Sequence, residues 1–302
     1  MKFQYQKQRI INQQLNSAFS LFDGDAGVLT HPLEQQRKQH LEQQRKQHLE
    51  QNKIEITNFI KLKMFEKKNY PLNNKKMLLL MACHCIDSLK LITIKNNLNY
   101  FKNNNIDVVI INSSDTMYHK ELVQLCEESN IKYAEVPNNG ACDFGKFLHC
   151  LQNIVTCDPY EYVLFTNDSY KIHSPIDHFF NFICSKDVDM YGYNDSNEIK
   201  YHIQSYLFAL KIRAVATFIT NVAKKKRLLH SLHDVITHCE LEYINWFQSY
   251  ACFLNISTIK CLKQNIFYHD DELYVALKEI GLLPFTKLKR LTPIPNTSSY
   301  LK

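Results

Sequence analysis

No stretch of this 302-residue chain approaches the ~18 consecutive apolar residues that a membrane-crossing helix needs, which excludes an ordinary helical span. The first ten residues carry Lys, Gln and Arg in place of the apolar segment of a secretory signal, so none is expected. The ten cysteines include no CxxC pair, and only Cys83 and Cys85 stand close together, which matches neither a zinc site nor a disulfide framework. Reduced thiols and a cytoplasmic location are therefore expected. The sequons at Asn112, Asn167, Asn194, Asn255 and Asn296 then read as incidental in an Asn-rich chain. A basic surplus is lacking where it would matter. The formal charge is +6, but residues 1–76 hold 14 Lys and Arg against 7 acids, leaving 22 against 23 for residues 77–302. The larger part is near neutral, which argues against a nucleic-acid partner.

What is present falls into two parts. Residues 1–75 form a basic, low-complexity extension in which LEQQRKQH at 33–40 is repeated verbatim at 41–48 and a third copy starts at Leu49. A period of eight turns successive leucines by about 80° around a helix, so they make no common stripe. The expectation is a solvated polar helix rather than a coiled-coil seam. The alternative is a basic arm that touches an anionic surface, as a peripheral membrane contact or on RNA.

From residue 76 short apolar runs alternate with helical periods. Strands are expected at 77–82, 106–112, 131–136 and 162–166, with helices at 86–101, 120–129 and after Gly140. That alternation predicts an α/β fold with a doubly wound, mostly parallel sheet. Beyond Ser169 a helix is expected at 175–183 and a strand at 188–193. The stretch 197–210 alternates, with Ile199, Tyr201, Ile203 and Leu207 on one face and Glu198, His202 and Gln204 on the other. Helices are expected at 215–223, 226–238 and 241–254, and an irregular tail from about 284.

The chemistry concentrates in two stretches. Tyr162-Val163-Leu164-Phe165-Thr166 is an apolar run that stops abruptly at Asn167-Asp168-Ser169, as a buried parallel strand does where it meets a cleft. Asn139-Gly140-Ala141-Cys142-Asp143 is a turn signal that leads into Phe144, Phe147, Leu148 and Leu151, an amphipathic helix with Asp143 in its first turn. A carboxylate there can simply complement the helix dipole. Asp143 and Asp168 nonetheless stand at the cleft-side ends of two consecutive elements, and two acids on one cleft suit a polyhydroxylated or metal-bound ligand.

Taken together, NGACDFGKF, YEYVLFTNDS and EIKYHIQSYLFALK, with MACHCIDSL ahead of them, resemble the rhamnan synthesis protein F family over about residues 77–255. The resemblance implies a GT-A-like, Rossmann-type fold and a glycosyltransferase that moves rhamnose or another deoxyhexose from a dTDP-rhamnose-like nucleotide sugar. Acceptors would be a glycan, a lipid-linked sugar or a protein, with inversion at the anomeric carbon. It also implies donor-binding roles for His84, Asn139, Gly140, Asp143, Asn167, Ser169, Glu198 and Gln204, and catalytic roles for Asp168, Glu240 and His202. Phe144, Gly145 and Ser205 fall on further motif positions, and Glu242 is a rival to Glu240.

Many GT-A enzymes carry DxD where this chain has the single acid Asp168, so a Mn2+ or Mg2+ ion on Asp168 is one expectation and a metal-free site is the other. Without a metal, His84, His202 and backbone amides near Gly140 would have to offset the charge of the leaving diphosphate. Each residue also has a plainer role open to it. His84 and His202 can be structural, Gly140 and Gly145 can serve a turn and close packing, Asn167 and Ser169 can end a strand, and Glu240 can face solvent. The other functional classes in view are a catalytically inactive sugar-nucleotide or glycan-binding module and a protein that acts through its basic extension.

Overall fold

The structure, a computed structural model, describes residues 31–71, 74–102, 106–137, 140–259 and 271–288. The chain divides into two compact units, Met1–Glu55 and Ile56–Lys302. What is described of the first is part of helix α1 (His31–Asn69). Leu41 and Leu49 there are exposed, and its pairings are local, such as Lys46 with Glu42. The eight-residue repeat thus makes a polar helix without an apolar stripe.

The second unit begins twenty residues before the change in composition at Lys76. Later turns of α1 belong to its core: Phe59 is buried, Ile56 and Ile60 pack beside it, and Tyr70 sets its ring edge-on to Phe182 at 5.5 Å. The rest of the unit is built on one eight-stranded sheet. Its strands are β1 (Met77–Cys83), β2 (Ile106–Ser113), β3 (Lys132–Val136), β4 (Tyr162–Asn167), β6 (Met190–Ser196), β7 (His202–Ile203), β8 (Leu207–Lys211) and β9 (Tyr250–Leu254), in the order β3-β2-β1-β4-β8-β6-β7 with β9 on β6. β1, β2, β3 and β4 pair in parallel, and so do β6 and β9, while β8 runs antiparallel between β4 and β6. A two-stranded ribbon joins β5 (Tyr170–Ile172) to β10 (Phe285–Lys287).

Period-two alternation assigns each strand residue to one of two cores. Leu78, Leu80 and Ala82 of β1 and Val163 and Phe165 of β4 face α4 (Cys142–Asn153) and α6 (Ile212–Lys225). Met77, Leu79, Met81 and Leu164 face α2 (Ser88–Lys102), α3 (His119–Ser129) and α5 (Asp177–Cys184). With both faces covered, every residue of β1 is buried, which is why it reads as an unbroken apolar run. The architecture is a mixed, mostly parallel α/β sheet with helices on both faces. Phe165 stacks on Phe208 at 4.6 Å and meets Phe147 edge-on at 5.0 Å, so aromatic rings lock α4, β4 and β8 together.

Three expectations fail past residue 225. The stretch 226–238 is broken into a 3-10 turn, the four-residue α7 (Leu232–Val235) and a π turn Ile236–Glu240. The stretch 241–254 ends as strand β9, because Tyr250, Ala251 and Cys252 pair with Met190, Tyr191 and Gly192 of β6. The tail from 284 is ordered at first: after α8 (Asp271–Glu279), Phe285 pairs with Ile172 in the ribbon. Among the described residues no helix is long and apolar enough to cross a membrane.

Candidate active site

Topology locates the site. The chain lays β2 and β3 outward from β1 and then returns to place β4 on the other side of β1, so strand order reverses between β1 and β4. Their carboxyl ends leave a crevice there. His84 follows β1 and Asp168 follows β4, and the two meet: the His84 amide donates to Asp168 Oδ2 at 2.8 Å. Lys90, from the first turn of α2, donates to Asp168 Oδ1 at 3.0 Å. Burial lowers the pKa of the Lys90 ammonium, but the Asp168 carboxylate and its hydrogen bond outweigh burial and raise it on balance.

Asp143 and Asn167 join this cluster. Asn167 Nδ2 donates to Asp143 Oδ2 at 2.8 Å, while its Oδ1 accepts from Ser169 Oγ at 2.6 Å and from the Ser169 amide at 3.1 Å. Asp143 is half-buried on α4, and burial is the main reason its pKa is raised. The Asp168 charge acts in the same direction, against Lys146, the Asn167 bond and Lys90. Lys146, one helical turn on, is buried. Gly145 is needed for a close approach, because a Cβ there would sit 2.5 Å from the Gly140 carbonyl oxygen. A cavity of 250 Å³ beside this helix start is lined by Gly140, Ala141, Gly145, Lys146, His149 and Lys226, among others. A larger cavity, 390 Å³, opens at the far end of the sheet around Asp107, Lys132 and Tyr160, and none of the candidate site residues lines it.

The HxQS stretch also comes to the carboxyl edge. Because β8 runs antiparallel to both, β4 and β6 point the same way, and the return from β6 to β8 crosses that edge. His202 is buried, its Nδ1 donating to the Lys200 carbonyl at 2.8 Å and its Nε2 accepting from Gln204 Nε2 at 2.9 Å. Glu240 Oε1 accepts from the Ser205 amide at a long 3.4 Å. Glu242 instead pairs with Lys200, whose hydrogen bond holds its carboxyl below the usual range. Of the two rival glutamates, Glu240 is the one that reaches Ser205, beside His202 and Gln204.

No family model and no curated protein matches the chain. Among solved structures, the inositol-1-phosphate CTP transferase from T. maritima is similar at a TM-score of 0.41 and 8% identity, over 61% of this chain and 88% of that one. The rhamnan synthesis resemblance therefore rests on the motif residues alone.

Several expectations are corrected by the geometry. Glu198 is exposed and Ile199 is 71% exposed, because residues 197–201 form a turn rather than an alternating strand. Glu198 is thus not brought to the crevice with His202 and Gln204. A Mn2+ or Mg2+ ion on Asp168 fits poorly, since the Lys90 ammonium already sits 3.0 Å from Oδ1 and a second cation there would meet its charge. Among the described residues no group of three His, Cys, Asp or Glu could hold a metal. His84 is disfavoured as a source of positive charge. Burial, with Lys146 and Lys90 adding, lowers the His84 pKa despite Asp115 and Asp168. Among the described residues its Nδ1 has no hydrogen-bond partner, and it lies 3.8 Å from Asp115 Oδ1, too far for one. Both His202 nitrogens are already engaged. Asn139 lies outside the described residues.

Sequence reasoning missed the lysines. Lys90 reaches Asp168, Lys146 acts on Asp143, and Lys287 Nζ donates to Ser169 Oγ at 3.1 Å. It also missed a second Asn-Asp-Ser triplet, Asn194-Asp195-Ser196, at the end of β6. Asn194 Oδ1 accepts from the Tyr206 hydroxyl at 2.5 Å, and Asp195 accepts from the Ser257 amide at 2.9 Å and from its hydroxyl at 2.6 Å. The repeated triplet was the available signal.

Proposed function

We propose that the chain is a GT-A-like glycosyltransferase that moves a sugar, rhamnose or another deoxyhexose, from a dTDP-type donor to a glycan, lipid-linked or protein acceptor with inversion. The observation that carries this reading is the meeting of His84, Asp143, Asn167 and Asp168 at the strand-order reversal, where a donor diphosphate would lie. Glycosyl transfer needs a counter-charge for the leaving diphosphate and a base for the acceptor hydroxyl. Lys90 and Lys146 suit the first role in place of a metal. Glu240, half-buried with one long hydrogen bond, suits the second, while Asp168 orients Lys90 and the crevice backbone.

The test is a thermal-shift screen of sugar nucleotides followed by donor hydrolysis and transfer assays. Glu240→Gln is expected to cut turnover at least a hundredfold while donor affinity holds, and added manganese is expected to leave the rate within twofold. A chain that neither binds nor hydrolyses any sugar nucleotide would end this reading. A non-catalytic donor-binding module is the second reading, supported by the engagement of Asp168 with the Lys90 ammonium and the His84 amide. It predicts binding without hydrolysis.

A further inference from the structure

We infer that Lys287, carried on β10, is a substrate-binding residue that takes the diphosphate of a nucleoside-diphosphate donor. The inference rests on the donor-site reading above and names a contact from a segment that no motif covers. Lys287 is fixed by backbone as well as side chain. It stands opposite Tyr170 in the ribbon, and the Leu288 amide donates to the Ser169 carbonyl at 2.9 Å. β5 is itself held from α2, since buried Asn97 donates to the Tyr170 carbonyl at 2.7 Å and accepts from the Ile172 amide at 2.9 Å. The Ser169 hydroxyl donates to Asn167, so it is an acceptor towards Lys287.

The ammonium also lies 4.0 Å from the Tyr206 ring centroid. The hydroxyl and the ring face together fix the direction in which the ammonium points. Two adjacent residues thus each hold an ammonium: Asp168 holds Lys90 and Ser169 holds Lys287. Two phosphoryl groups joined by one bridging oxygen offer one anionic group to each of two such ammonium groups. Lys287 is half-buried, so part of its side chain remains open to a ligand.

The experiment is calorimetric titration of the full chain with dTDP and UDP, using the parent, Lys287→Met and Lys287→Arg. The expected result is at least tenfold weaker binding for Lys287→Met and recovery to within threefold for Lys287→Arg. A second measurement needs no variant: amine acylation of the parent, mapped by mass spectrometry, should show Lys287 shielded by either diphosphate. Diphosphate binding with Lys287→Met within twofold of the parent, or with Lys287 labelling unchanged, would overturn this inference and leave the donor-site reading standing. Absence of any diphosphate binding to the parent would overturn both.

Discussion

Lys90 and Asp168 form a pair whose two ends differ in their access to water, and that asymmetry sets the effect of breaking it. The Lys90 side chain is 22% exposed and that of Asp168 only 7%. Removing Lys90 leaves a buried carboxylate with the His84 amide as its remaining donor among the described residues, whereas an unpaired Lys90 can turn to solvent. Exposed pairs contribute about 0–1 kcal/mol, and removing one partner of a buried pair costs about 3–5 kcal/mol. Lys90→Met is therefore expected to cost about 2–4 kcal/mol and Asp168→Asn, which keeps an acceptor for the amide, about 1–2 kcal/mol. In the Lys90→Met background, Asp168→Asn should be neutral or stabilising, a coupling of about 2 kcal/mol. The raised Lys90 pKa means that this stabilisation is complete below the ordinary lysine value and fades only as pH rises through the folded-state value. Urea unfolding of the four chains at pH 7, with midpoints compared at constant slope, measures all of this. Additive costs, or Lys90→Met within about 0.5 kcal/mol of the parent, would refute the reasoning.

Two further outcomes follow from the core. Burial, with Lys67 adding, depresses the pKa of His178 to about 3, so the folded state resists a proton that the unfolded state accepts near its ordinary value of 6.5. Stability is therefore full above that value and drains as pH falls towards the folded-state one, by several kcal/mol at about 1.36 per unit. His178→Phe should flatten the acid limb of a stability-against-pH curve, and an unchanged limb would show that another group governs it. Tyr193 tolerates the change because its hydroxyl still donates to the Leu282 carbonyl at 2.6 Å. A chain beginning at Ile56 should melt like the parent, whereas one beginning at Asn73 loses Phe59 and Tyr70 from the core. At about 1.5–3 kcal/mol for each large apolar side chain, the urea midpoint of the shorter chain should fall clearly, and equal midpoints would return the boundary to Lys76.

Much of the sheet was legible because parallel strands buried on both faces leave continuous apolar runs, as β1 and β4 do, and Asn167-Asp168-Ser169 marks the end of one. β9 was not legible. Tyr250, Ala251, Cys252, Phe253 and Leu254 suit a helix face as well as a strand, and the deciding partner, β6, lies about sixty residues earlier in sequence. β10 has only three residues, too few for any period to show. The lysines of the crevice were hidden for the same reason. Lys90 and Lys287 acquire meaning through partners 78 and 118 residues away, and nothing in their immediate neighbours announces it. Glu198 failed in the opposite way, since an alternating pattern in sequence covered a solvent-facing turn.

The reversed strand β8 has a bearing on how such a molecule can diversify. Since β4 and β6 both end at the carboxyl edge of the sheet and β8 starts there, the chain must cross that edge between Ser196 and Leu207 whatever sequence it uses. The outer part of that span, residues 197–200, is exposed, while Ile203 is seated tightly against Gly192, where a Cβ would come within 2.3 Å of it. Insertions and exchanges at 197–200 are therefore insulated from the core while lying on the carboxyl edge of the sheet. That makes this crossing the natural segment to randomise in a library, and the one where selection could retune partner choice while leaving the scaffold untouched.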